Sequence, residues 1–77
     1  MTHDLKIDEQ YFISILEGIK TFEIRYNDRN FQVGDRIILK EITNNKEFTG
    51  RQASGIITYI TDYEQKEGYV VFSFIMN

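Results

Sequence analysis

Seventy-seven residues make one domain with a thin core, since a chain of this size buries only roughly 60–65% of the surface it exposes when unfolded. With 42% hydrophobic and 27% charged residues the chain is composed for folding, and the absence of cysteine excludes disulfides, thiolate nucleophiles and sulfur-ligated metals. A net charge of −3 excludes a protein that coats nucleic acid by bulk charge, and apolar runs such as Ile37-Ile38-Leu39 fall far short of the roughly 18 residues that span a bilayer.

Met1 is followed by an alternating segment: His3, Leu5 and Ile7 against Thr2, Asp4 and Lys6. That pattern predicts a short first strand in place of a signal peptide, and with it a cytoplasmic protein without membrane association. Phe12, Ile15, Leu16 and Ile19 then recur at i, i+3, i+4 and i+7, which lines one face of a helix. Asp8 suits its N-cap, Glu9 the positive end of its dipole, and Gly18 its stop.

From Lys20 the period changes to two. Phe22, Ile24 and Tyr26 alternate with Thr21, Glu23 and Arg25, which predicts a half-buried strand with its charged face outward and Phe22 in the core beside Phe31, Phe72 and Phe74. A polar loop, Asn27-Asp28-Arg29-Asn30, leads through a turn near Gly34 into an apolar, β-branched strand over 36–42. Asn44-Asn45 marks the next turn. Residues 48–61 read as a long strand in which Gly50 or Gly55 marks a bulge or bend. A charged loop separates it from a last strand over 69–76.

One strand, one helix and four further strands predict an α+β fold: a small, mostly antiparallel β-barrel with one N-terminal helix, in a single domain over 1–77. Charge is unevenly spread along it. Residues 1–19 sum to −3, residues 52–77 to −2, and residues 20–51, which hold all four arginines, to +2. Arginine suits bidentate contacts to phosphate or base edges, whereas interleaved acids on a strand face equally describe a solvated surface.

The run Gly18-Ile19-Lys20-Thr21-Phe22-Glu23-Ile24-Arg25 resembles the G-x-K-x-x-E-x-R signature of ASCH domains, small β-barrels of the PUA-like superfamily. Further short matches follow in order: Asn27-Asp28-Arg29, Val33-Gly34-Asp35, Thr49-Gly50-Arg51 and Gly68-Tyr69-Val70-Val71. Together they resemble a small ASCH-like family of unknown function from bacteria and their phages, across nearly the whole chain. The resemblance implies a barrel with a cleft beside the helix, lined by the signature strand, that holds RNA or a nucleotide-like ligand. Lys20, Glu23 and Arg25 are its signature positions, Asn27, Asp28 and Arg29 extend the site, and Arg51 reaches the same region.

These residue types suit that ligand. An ammonium at Lys20 is a compact charge for phosphate, and Glu23 and Arg25, two apart on a strand, share a face. A carboxylate accepts from a base amino group while a guanidinium donates to a carbonyl or phosphate. The bland alternatives are a structural ion pair for Glu23 and Arg25 and a self-bonded turn for Asn27 and Asp28. The lone histidine, His3, shares parity with Leu5 and Ile7 and reads as a satisfied core residue; no metal site and no cofactor are expected.

Some ASCH relatives are amidohydrolases of an acetylated nucleoside that use a lysine, a threonine and a glutamate. Here the position three after Lys20 is Glu23, not threonine, and Thr21 points to the opposite face of the strand from its neighbours. An enzyme built on this chain would use Lys20 and Glu23 as an acid–base pair. The primary expectation is an RNA- or nucleotide-binding module, with a small hydrolase of a modified nucleoside and a protein-interaction module as the alternatives.

Overall fold

The computed structural model describes residues 1–77, and every expected element is present: β1 (Thr2–Asp8), α1 (Glu9–Leu16), β2 (Phe22–Tyr26), β3 (Arg36–Ile42), β4 (Phe48–Thr61) and β5 (Tyr69–Met76). They form one sheet in the order β1-β3-β4-β5-β2, antiparallel except for the parallel pair β1 and β3. The sheet curls into a half-barrel whose two edge strands, β1 and β2, flank an open seam.

Two register shifts accompany the curl, one of β4 against β3 near Gly50 and one of β4 against β5 between Ile57 and Tyr59. Residues 48–56 of β4 pair with β3 and residues 55–61 with β5, so one long strand serves both halves of the sheet. Between the pairs Ile42↔Phe48 and Lys40↔Gln52, β4 carries extra residues, and Gly50 at their centre has φ +94°, a bulge that a side chain would strain. Gly55 serves close approach instead: a Cβ there would stand 2.6 Å from the carbonyl oxygen of Ile75.

The core lies in the concavity under α1. Leu5, Ile7, Ile37, Leu39, Ile57, Phe72 and Phe74 point into it from the strands, and Phe12 and Ile15 cap it from the helix. Phe31 joins from the loop before β3, its ring centroid 5.0 Å from that of Phe72. One sequence expectation is corrected here. The helix ends at Leu16, so Leu16 and Ile19 are exposed and only Phe12 and Ile15 of the expected stripe are buried. Asp8 occupies the N-cap position with no side-chain cap bond.

The larger correction concerns β2, whose two faces are exchanged. Phe22, Ile24 and Tyr26 are 43, 54 and 57% exposed, whereas Glu23 is 5% exposed and faces inward. Phe22 is therefore not a core residue.

His3 is buried as expected, its Nε2 2.7 Å from Asp35 Oδ2 and its ring edge-on to Phe31 at 4.8 Å. The terminal amine of Met1 donates to Oδ1 of Asp35 at 3.1 Å, and the Gln32 N–H donates to Oδ2. The bond to His3, followed by those from the amine and Gln32, outweighs burial and holds the Asp35 carboxyl at about 2, below its ordinary 3.8. A depressed carboxylate contributes stability that is complete above the unfolded pKa and is lost as pH falls through the folded one. Relative to Asp35→Asn, the protein should therefore lose its advantage in urea midpoint between pH 4 and pH 2 and keep it from pH 5 to 7, as followed by tyrosine fluorescence.

Candidate functional site

The seam between β1 and β2 opens into a cleft of about 590 Å³ under the N-terminal end of α1. Lys6, Asp8, Tyr11, Lys20, Arg25 and Tyr69 stand along its wall. Glu23 lies at its base, between two cations. Lys20 Nζ donates to Glu23 Oε2, and Arg25 Nε donates to Oε1 at 3.0 Å. Lys20 also donates to the carbonyl of Phe22 at 2.6 Å and stands 4.8 Å from the Phe22 ring and 5.7 Å from that of Tyr11. The three charges sum to +1, so after Glu23 is neutralised one positive charge remains to face a ligand.

The inverted face of β2 follows from this triad. An inward glutamate on an edge strand is tolerated because two cations satisfy both of its oxygens and the open seam keeps the site partly wet. Side-chain alternation alone does not carry that information.

The edges of the seam are fastened by side chains. β1 pairs only with β3, and its carbonyls at Asp4 and Lys6 accept from Arg29 Nη1 and Arg25 Nη2, the latter at 2.6 Å. The backbone of β2 has its own open side. In the antiparallel pattern with β5, Thr21 and Asn27 bond across, as in Phe74 N–H to Thr21 and Asn27 N–H to Gly68. By alternation Glu23 and Arg25 do the same, and Phe22, Ile24 and Tyr26 turn their peptide groups toward the seam. Lys20 takes the carbonyl of Phe22 and the Asp28 N–H takes that of Tyr26. Ile24 is left offering a donor and an acceptor side by side, a pattern that matches the edge of a nucleobase.

Lys20, Glu23 and Arg25 are thus brought together as the sequence predicts. Arg29 is drawn to the neighbouring stretch of β1, where it lines a second depression with Asp4, Lys6, Arg25 and Lys40. Asn27 turns inward to accept the Phe31 N–H at 2.9 Å, which builds the loop, and Asp28 points to solvent with Arg29 4.0 Å away. Arg51 does not line the cleft. It reaches back across the β3–β4 hairpin to Glu41, donating from Nε at 2.9 Å and from Nη2 at 2.8 Å, and its guanidinium carbon lies 5.2 Å from the ring centre of Phe12. Those two bonds, with a third from the Thr49 hydroxyl at 2.6 Å, hold the buried Glu41 carboxyl below the usual range and raise Arg51 in return.

Lys6 and Asp8, which sequence reasoning did not single out, line the cleft from β1. The position of Lys6 on the polar parity of β1 was a signal in reach, but it acquires meaning only when β1 is known to border the seam. Tyr26 and Tyr69 close the far end, edge to face at 5.5 Å.

Residues 2–74 match the family model described as "Domain of unknown function (DUF3850)". The chain belongs to this family. An Escherichia phage P2 protein named "Uncharacterized 12.9 kDa protein in GpA 3'region" is 40% identical over 75 residues, which cover 96% of this chain and 68% of the phage protein. The DUF3850 match spans β1 to β4 whole and β5 as far as Phe74, and it includes the seam, the Glu23 triad and the Glu41–Arg51 pair.

Proposed function

We propose that this DUF3850 domain is an RNA- or nucleotide-binding module of the ASCH-like, PUA-like type, acting in the cytoplasm and holding its ligand in the cleft between α1 and β2. The observation that carries the reading is the buried Glu23 with Lys20 and Arg25 on its two oxygens, set beside the open peptide edge of Ile24. A ligand phosphate would meet Lys20 and Lys6, a base edge would meet Ile24, and Tyr11, Tyr26 or Tyr69 offers a stacking face at the rim. The direct Lys20–Glu23 hydrogen bond favours the hydrolase as second reading, because it joins a proton donor and a proton acceptor inside the cleft.

An amide NMR titration with nucleoside monophosphates and short single-stranded RNAs at two salt concentrations tests the reading. Saturable shifts are expected at residues 20–26 and at Lys6, and they should vanish in Arg25→Ala. Incubation of the best ligand with the protein then separates binding from turnover. If no ligand shifts these amides at millimolar concentration, the cleft is not a nucleotide site, and a protein partner takes its place.

A further inference from the structure

The 590 Å³ cleft is the first of three depressions that run into one another. Lys6 and Arg25 line both the cleft and the depression beside it. Lys40 and Phe48 line both that depression and a third, which ends at Arg51 and Gln52. Strand register explains the continuity: Lys6 is paired with Lys40 across β1 and β3, and Lys40 with Gln52 across β3 and β4, so the three side chains form a row perpendicular to the strands. Adjacent strands are about 4.8 Å apart.

Charge follows the same path. Lys6, Lys20, Arg25, Arg29, Lys40 and Arg51, six of the nine cations, line it together with Asp4, Asp8 and Glu23; with Asp28 and Glu41, which stand beside Arg29 and Arg51, the stretch sums to +1, while the rest of the chain carries −4. Glu23 and Glu41 are buried and fully engaged, and the exposed pair of Asp4 with Lys40 at 3.1 Å is weak enough to yield to a phosphate. Aromatic faces stand along the path as well: Tyr26 and Tyr69 at one end, and Phe48, 60% exposed with Lys6 Nζ 5.7 Å from its ring centre, in the middle. Cations that track a backbone, interleaved with exposed rings, suit a single strand whose bases are splayed outward.

We infer that the ligand is a single-stranded oligonucleotide of several nucleotides, laid from the Lys20 cleft across β1 and β3 toward Arg51, and not a lone nucleotide. This rests on the nucleotide-binding reading of the first cleft.

The test compares uridine monophosphate with a hexauridylate by calorimetry at 50, 100 and 200 mM salt, for the wild type, Lys40→Gln with Gln52→Glu, and a control, Lys46→Ala with Lys66→Ala. Lys40 and Gln52 lie outside the first cleft. The hexamer should bind at least tenfold tighter than the monophosphate, with a salt slope steepening from about −0.7 to about −2 as phosphate contacts rise from one to about three. The Lys40/Gln52 variant should lose that gain and keep the monophosphate affinity, whereas the control should change neither. Equal affinity for the two ligands, or an unaffected Lys40/Gln52 variant, overturns the track and leaves the first cleft standing. Binding of neither ligand overturns both, and equal binding of a hexaglutamate peptide overturns the nucleic-acid assignment.

Discussion

Glu23→Ala is expected to lower stability by about 2–3 kcal/mol and to abolish ligand shifts in the cleft. Removing one member of a buried ion pair costs about 3–5 kcal/mol when the abandoned charge is fully buried. Here Lys20 and Arg25 keep 18 and 26% of their side-chain surface in solvent, which lowers the cost. Against a total of about 4–12 kcal/mol for a chain of this length, that is a large share. Urea unfolding would show it as a midpoint lower by about 2–3 M at a slope of about 1 kcal/mol/M. Glu23→Gln keeps the shape and one acceptor and should lose about half as much. If Glu23→Ala leaves the midpoint unchanged, the triad is a solvated cluster and contributes nothing to the inward turn of the strand.

Phe72→Ala is expected to cost more, about 3–5 kcal/mol, since Phe72 is completely buried and its ring touches those of Phe31 and Phe74. Phe72 is also the register partner of Glu23, so the cavity opens beside the base of the cleft. Phe72→Leu should cost less than about 1.5 kcal/mol, because it replaces most of the volume. Unfolding midpoints of the two variants, read beside amide spectra of residues 20–26, connect the core to the site. A loss under 1 kcal/mol for the alanine variant would mean that the sheet collapses onto the gap.

The order and kind of all six elements were legible in the sequence, because one stretch has helical spacing and the rest alternate. That Lys20, Glu23 and Arg25 form one group was legible as well. The direction in which β2 faces was not, since its apolar and charged parities are equally regular and the choice is made by Glu23 finding two cations at an open edge. That Arg51 stands outside the first cleft was not legible either, for a related reason. Its partner Glu41 stands among Ile37, Leu39 and Ile42 in a run that reads as continuous core, and the pairing emerges only from hairpin register. Ile19 continues the helical spacing past the point where the backbone stops being helical, and Leu16 is the last residue of the helix.

Arg25 and Arg29 have a mechanical consequence. Neighbouring strands elsewhere in the molecule are zipped by peptide groups, which part only when the chain unfolds locally. The lips of the half-barrel are held by two guanidinium latches on the carbonyls of Asp4 and Lys6, and a latch of this kind swings away by rotating a side chain. Releasing the two latches breaks no hydrogen bond of the five-stranded ladder. An anion bound at either latch would compete with the carbonyl that the guanidinium holds.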